Sequence, residues 1–133
     1  MNVLVCVDDH MGMVFNKRRQ SRDGAILQKI QELAGENKIW IHEFSKNLFG
    51  EEIEVTVDNE FLECAKAGEF CFVEHLPLAE YMERLEHLYL FRWNRSYPYD
   101  MTLDIDVSAL SLISTEEFEG TSHEKITLET YKK

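Results

Sequence analysis

The sequence predicts an α/β fold, a three-layer sandwich with a central mixed, mainly parallel sheet and an antiparallel C-terminal part. Residues 3–7 form an apolar strand pattern with no polar side, and such a strand is covered on both faces inside a sheet. Strand and helix patterns alternate up to about residue 85, and strand patterns alone follow. The 133 residues, 44% of them hydrophobic, suffice for one core, so we expect a single domain over 1–133.

In the first two thirds of the chain, strand patterns alternate with helix patterns. Asp8 and Asp9 end the first strand, and the loop after them leads to Ser21, which we expect to cap the first helix. Residues 25–34 carry apolar side chains at helical spacing before Gly35, which predicts an amphipathic helix that ends there. We also predict helices near 61–65 (capped by Asp58 or Asn59) and over 78–85 (after Pro77), a turn capped by Ser45, and strands at 38–42, 53–57 and 70–73.

The last third of the chain contains strand patterns only. Apolar residues alternate with polar ones over 101–107, as in an antiparallel strand with one exposed side. Residues 126–131 alternate in the same way, so we predict a strand there despite the glutamates nearby. Strands are also predicted at 88–93 and 110–118, with a turn at 119–122 before the last strand.

Composition and charge argue against several classes of protein. The formal net charge of -11 opposes binding to nucleic acid or to anionic membranes, since both are polyanions. Cys6, Cys64 and Cys71 lack metal-ligand spacing and have apolar neighbours, so we expect reduced, mostly buried thiols. The start of the chain has no cationic leader, and no apolar run is long enough for a membrane span. These features predict a cytoplasmic protein of bacterial type.

A cationic cluster follows the first strand. Lys17, Arg18, Arg19 and Arg22 are four of 14 cations, and they precede a helix start, which attracts anions. Open α/β sheets form their ligand crevice where a central strand ends. We therefore predict a site for a small anionic ligand; the alternative is a solvated loop whose cations pair with the acidic surface of the protein. The residues expected to line the site are Val7, Asn16, Arg18, Arg19, Arg22 and Asp23.

The segment from Trp93 to Tyr99 combines arginines with aromatic side chains. A packed loop is one interpretation. The segment could also stack on a base or pterin, or form a homodimer contact, because Trp, Tyr and Arg are common anchors of interfaces. An alternative function for the whole chain is therefore a regulatory or interaction module without catalytic activity.

The loop after the first strand resembles a motif of the dihydrofolate reductases. In that family the strand is followed by the pattern D-x-x-x-G-I/M-x-x-N, which Asp8, Gly12, Met13 and Asn16 match. Several C-terminal segments are similar to family elements in the family's order. The resemblance implies the fold of those enzymes and a reductase acting on an anionic heterocycle, with NADPH as the cofactor. The similar C-terminal segments are 78–85, 88–93, 100–103 and 128–133.

The resemblance also implies site residues. Asp23 is the candidate for the catalytic carboxylate on the first helix. Ser45 stands for the Thr of the family's Gly-Arg/Lys-x-Thr phosphate motif, and Glu43 takes the place of its cation. Glu74 and His75 stand where the family has a Gly-Gly pair that lets the backbone approach the cofactor pyrophosphate. Ser45 and His75 are thus the candidate cofactor-binding residues, but with the phosphate motifs missing the residues leave the cofactor unknown.

The chain also resembles a group of short bacterial proteins that sometimes carry the label ribonuclease Z. That enzyme needs His-x-His-x-Asp-His to hold two zinc ions. The five histidines of this chain stand singly, so we predict no metal site, and nuclease activity is the weakest of the three hypotheses. The histidines are His10, His42, His75, His87 and His123.

Overall fold

A computed structural model describes residues 1–133 and places most strands in one seven-stranded sheet. The strands are β1 (Asn2–Val7), β2 (Gly12–Phe15), β3 (Arg18–Arg19), β4 (Ile39–Ile41), β5 (Thr56–Val57), β6 (Phe70–Val73), β7 (His87–Arg92), β8 (Met101–Thr102), β9 (Ser111–Phe118) and β10 (Ile126–Lys132). Their order in the large sheet is β5, β4, β6, β1, β7, β10, β9. A small second sheet has the order β3, β2, β8.

Strand β1 lies in the middle of the large sheet and pairs in parallel with β6 and β7. Strand β4 is parallel to β6 and β5, whereas β10 is antiparallel to both β7 and β9. The predicted mixed sheet with an antiparallel C-terminal part is confirmed. Val3 and Val5 face one core cluster and Leu4 faces the other, which explains why this strand has no polar side.

Helices cover both faces of the sheet. Helix α1 (Gly24–Ala34) packs Ile26 and Ile30 on the face of Leu4, together with α2 (Lys46–Phe49). Helix α3 (Phe61–Cys64) covers the other face, and short 3-10 helices lie at Glu43–Ser45, Ala79–Arg84 and Val107–Ala109. The predicted helix end at Gly35 is confirmed, with Gly35 at φ 57°. No helix has the length and apolar character needed to cross a membrane.

Two predicted helix caps are wrong. Asp23, and not Ser21, caps α1 by accepting a hydrogen bond from the amide of Ala25. Ser45 makes no cap hydrogen bond to α2, and its hydroxyl instead donates to the carboxylate of Glu74. In both cases the serine hydroxyl has a partner in a distant part of the chain, which competes with local capping.

Three predicted elements are shorter or different. The strand expected at 53–57 pairs only over Thr56–Val57, at the sheet edge. The strand expected over 101–107 is regular only at Met101–Thr102, because the chain then crosses the core and Asp104 accepts hydrogen bonds from two amides that start the 3-10 helix. That 3-10 helix, Ala79–Arg84, replaces the α-helix predicted over 78–85.

The exposure of several side chains bears on the sequence predictions. The thiols were expected to be mostly buried, and Cys71 is buried and Cys6 partly so, but Cys64 is exposed. Trp93, at the start of the segment 93–99, is only 5% exposed, which agrees with the packed-loop interpretation at that residue. Its neighbour in that segment, Tyr99, is exposed and stacks on His10 at a centroid distance of 5.6 Å.

Candidate functional site

A narrow cleft opens at the carboxyl ends of the parallel strands. The end of β1, the residues just after β6 and β7, the segment before α1 and the first turn of α1 line it. This is the edge at which open α/β sheets usually form their ligand sites. The apolar lining includes Met13, Ile26, Leu48, Phe72 and Trp93, and the polar lining is Arg19, Gln20, Ser21, Arg22, Asp23 and Glu74.

The carboxylate of Asp23 is fully buried and accepts hydrogen bonds from two segments, the first turn of α1 and residues 121–123. The amide of Ala25 and the amide and hydroxyl of Thr121 each donate to Oδ1 at 2.9 Å. The Ser122 amide, at 2.8 Å, and the Ser122 hydroxyl, at 3.1 Å, donate to Oδ2. Burial alone would raise the pKa of Asp23, but the hydrogen bonds from Thr121, His123, Ser122 and Ala25 together lower it. The group is therefore an ionised acceptor at neutral pH.

His123 connects Asp23 to the cleft. Its Nδ1 lies 2.9 Å from Asp23 Oδ2, and because an ionised carboxylate only accepts, Nδ1 carries the proton. Nε2 is then an acceptor, 3.0 Å from Ser21 Oγ and 2.9 Å from the Tyr97 hydroxyl. The imidazole also stacks on Trp93, with the ring centroids 4.5 Å apart. Contacts at both ring nitrogens and the Trp93 ring on one face therefore fix the orientation of the imidazole.

A second carboxylate, that of Glu74, is bound to a cation. Arg19 donates from Nε at 2.7 Å and from Nη2 at 3.0 Å, and the Ser45 hydroxyl donates at 2.6 Å. The side chains of Arg19 and Glu74 are 19% and 8% exposed, and the hydrogen bond to Glu74 raises the pKa of Arg19. The fork geometry makes this one of the strong kinds of ion pair. The Arg19 guanidinium also lies 5.7 Å from the ring centroid of Phe44.

Gln20 lines the main cleft and carries a buried amide oxygen without a hydrogen-bond partner. Its Nε2 donates to Asp8 Oδ2 at 3.1 Å and to the Pro98 carbonyl at 3.3 Å, which fixes the orientation of the amide. Oε1 is buried and has no hydrogen-bond partner. Gly12 is required beside it, because a Cβ there would lie 2.7 Å from the Gln20 side chain and 2.8 Å from Asp8.

The structure divides the predicted anion-binding residues among three places. Arg19 and Arg22 line the main cleft, and Arg19 is already paired. Asn16 and Arg18 line an adjacent cleft with Phe15, Tyr97 and Pro98, and Arg19 and Gln20 line both clefts. Val7 is fully buried in the core and does not line the main cleft.

The two predicted cofactor-binding residues lie near each other but have protein partners. Ser45 donates to Glu74, and His75 stacks on Phe44 at 4.2 Å with the ring of His42 at 4.5 Å. Burial and the proximity of His42 lower the pKa of His75. His75 Nδ1 is buried without a partner. No group of three or more His, Cys, Asp or Glu side chains is arranged to hold a metal ion.

Sequence reasoning missed the polar side chains that the fold brings to this cleft from distant segments. Ser21 was expected only as a helix cap, and no site role was predicted for His123, which follows the predicted turn at 119–122. One signal was present: Gly120 lies in that turn, and a Cβ on it would lie 2.5 Å from Asp23 Oδ2. A glycine in this position therefore marks the close approach of a distant segment. The missed residues are Gln20, Ser21 and His123.

The comparisons with known proteins concern the fold. No protein-family model and no curated protein matches the chain. Among solved structures, the chain is similar to the dihydrofolate reductase from Enterococcus faecalis, complexed with NADP(H) and RAB-propyl. The TM-score is 0.69 and the identity 13%, and the match covers 98% of this chain and 94% of that one. At this identity the likeness establishes architecture and not activity. The chain has a dihydrofolate-reductase-like fold.

Proposed function

We propose that the protein binds a small anionic heterocycle in the main cleft. The observation that carries this proposal is the unpartnered Oε1 of Gln20. A buried polar atom without a partner is costly, and a ligand N–H would satisfy it. The adjacent walls are apolar and aromatic, which suits a flat ring.

The charges lining the cleft favour an acidic substituent on that ring. Arg19 and Glu74 neutralise each other, and Asp23 is fully hydrogen-bonded. Arg22 is exposed, lines the cleft and forms no ion pair within the chain. A carboxylate or phosphate on the ligand therefore has one cation available.

A nicotinamide dinucleotide does not fit the edge at Glu74. The resemblance assigns a cofactor phosphate to Ser45, but the Ser45 hydroxyl donates to Glu74 at 2.6 Å. A phosphate brought there would meet a largely buried carboxylate, and the Gly-Gly pair that would let it approach the backbone is absent. A reductase using such a cofactor is therefore a weaker candidate than a protein that binds the heterocycle without it.

Thermal denaturation with a ligand panel tests the proposal. The panel contains pterin-6-carboxylate, folate, nucleoside monophosphates and NADPH. We expect a heterocyclic acid to stabilise the protein, by about 2.7 kcal/mol at 100 times its Kd, and NADPH to have no effect. If NADPH stabilised the protein as strongly as any small acid, the conclusion that a nicotinamide dinucleotide does not fit at Glu74 would be wrong. If no ligand stabilised the protein, the proposed binding site would be wrong.

Two arginine variants provide a matched comparison. Arg22→Ala removes the cation of the main cleft and should weaken ligand binding about tenfold. Arg18→Ala removes the same charge four residues away, from the other cleft, and should leave ligand binding unchanged. Equal losses in both variants would show that only the net charge of the loop matters, and would overturn the assignment of the site.

A further inference from the structure

We infer that Ser21, His123 and Asp23 form a nucleophile, base and orienting-acid triad that can hydrolyse small carboxylic esters. Ser21 Oγ lies 3.0 Å from His123 Nε2, and His123 Nδ1 lies 2.9 Å from Asp23 Oδ2. These are the two contacts by which an imidazole activates a hydroxyl and a carboxylate fixes the tautomer of the imidazole. The three residues come from the segment before α1 and from the turn between β9 and β10, 100 positions apart.

The arrangement meets the requirements of a catalytic group at each residue. The Asp23 and His123 side chains are 0% and 3% exposed, so their orientation is fixed. Ser21 is half-buried and lines the cleft, so a ligand can reach its hydroxyl. The five hydrogen bonds to Asp23 from Ala25, Thr121 and Ser122 keep the carboxylate ionised, so it accepts from His123 Nδ1 and orients Nε2 toward Ser21.

The chemistry is an acyl transfer to water. Ser21 Oγ attacks the ester carbonyl carbon while His123 Nε2 takes the hydroxyl proton, and the tetrahedral intermediate collapses as Nε2 returns that proton to the departing alcohol. Water then attacks the acyl-serine carbonyl and gives a proton to Nε2. That proton returns to Ser21 Oγ as the acid is released. No oxidant, reductant or metal is needed for this sequence.

Tyr97 is the donor closest to the charge that would develop. Its hydroxyl lies 2.9 Å from His123 Nε2 and 3.4 Å from Ser21 Oγ, and once Nε2 has taken the serine proton and no longer accepts, the Tyr97 hydroxyl can donate to an oxyanion on a carbon bonded to Ser21 Oγ. Trp93, Ile26 and Phe72 form apolar walls on the same cleft, which suits a short acyl chain or an aryl leaving group. This inference rests on the proposed function, because the triad and the heterocycle share one cleft.

The experiment measures covalent labelling of the full chain by a fluorophosphonate probe, together with hydrolysis of p-nitrophenyl acetate. Attack of Ser21 on phosphorus expels fluoride and leaves a stable adduct, located by peptide mass spectrometry. We expect the adduct at Ser21, and at least a 100-fold lower labelling rate and loss of ester hydrolysis above background in Ser21→Ala and His123→Gln. The control is Ser114→Ala on the exposed strand β9, which should react like the original chain.

The outcomes separate the triad from the binding site. Labelling at another residue, or a rate in Ser21→Ala equal to that of the original chain, overturns the triad. Ser21→Ala keeps the buried network of Asp23 and so tests the nucleophile even if His123→Gln fails to fold. If a heterocycle stabilises the protein but the probe labels neither the original chain nor any variant, the proposed ligand binding stands and only the esterase inference is refuted. If the probe labels Ser21 but no ligand of the panel raises the melting temperature, the triad stands and the proposed heterocycle binding is refuted.

Discussion

Two carboxylates line the same cleft and are satisfied in different ways. Glu74 is bound by the guanidinium of Arg19 and the hydroxyl of Ser45, which cancels its charge locally. Asp23 forms no ion pair with a lysine or an arginine. It accepts hydrogen bonds from backbone amides, from hydroxyls and from the His123 imidazole. The serine near Glu74 bonds to the carboxylate directly, whereas Ser21 reaches Asp23 only through His123.

The difference decides which serine is available for chemistry. Ser45 is 1% exposed and donates to Glu74, whose carboxylate is also bound by Arg19, so its hydroxyl is not accessible to a ligand. Ser21 is half-buried and donates to an imidazole, a group that both accepts and returns a proton near neutral pH. The side chains of Glu74, Arg19 and Ser45 therefore bind one another at one end of the cleft. Asp23 instead orients His123, which contacts the Ser21 hydroxyl that lines the cleft.

The largest predicted effect is loss of the Asp23 carboxylate. Asp23→Ala leaves the amides of Ala25, Thr121 and Ser122 without their acceptor and removes the cap of α1. We expect the free energy of unfolding to fall by about 3–5 kcal/mol, measured by urea denaturation at pH 7. A loss below about 1 kcal/mol would show that water replaces the carboxylate. The control is Asp106→Ala, since Asp106 also caps a helix but is exposed, and its loss should be much smaller.

The difference in unfolding free energy between the original chain and Asp23→Ala should depend on pH. The folded-state pKa of Asp23 is lowered, so its stabilisation is present above the unfolded-state pKa of about 4 and is lost as the pH falls toward the folded-state value. The stability difference between the original chain and Asp23→Ala should therefore shrink as the pH falls below about 4. A difference that stays constant from pH 7 to pH 3 would contradict the ionised state of this carboxylate.

A smaller effect is predicted for the second carboxylate. Glu74→Ala leaves Arg19 unpaired, but that side chain is 19% exposed and can reach water, so we expect a loss of about 2 kcal/mol. The variant retains two donors, the Arg19 guanidinium and the Ser45 hydroxyl. Added sulfate should therefore stabilise Glu74→Ala more than the original chain, as measured by thermal denaturation. An equal response to sulfate in both proteins would show that Glu74 does not occupy an anion position.

The sequence predicted the elements whose patterns are local. The apolar run of β1, the helical spacing from Ile26 to Ala34 and the alternation in β10 are confirmed because each side chain pattern repeats within one element. The β2–β3 hairpin was missed. Its turn has positive φ at Asn16 and Lys17, 51° and 62°, where Asn-Gly is the usual signal and the lysine conceals it.

The candidate site was less predictable because its contacts join distant segments. Arg19 pairs with Glu74 across 55 positions, and His123 contacts Asp23 across 100. A single sequence has no local pattern for such pairs. The cationic cluster was identified, but which cleft a cation lines depends on the hairpin turn, since Arg19 lines both clefts and Arg18 lines only the one beside Tyr97. The role of Asp23 as a proton donor remains untested, although its six hydrogen bonds favour an orienting role.

The smallest predicted effects come from the two serines and compare the surroundings of the two carboxylates directly. Ser45→Ala removes a buried hydrogen bond to a charged group and should cost about 1–2 kcal/mol of unfolding free energy. Ser21→Ala removes a hydrogen bond to the His123 imidazole, whose Nε2 retains the Tyr97 hydroxyl, so the expected loss is below about 1 kcal/mol. Urea denaturation of both variants shows which substitution lowers the unfolding free energy more. If Ser21→Ala were the more costly change, the Ser21 hydroxyl would be a structural element, and its availability to a ligand would be in conflict with its contribution to folding.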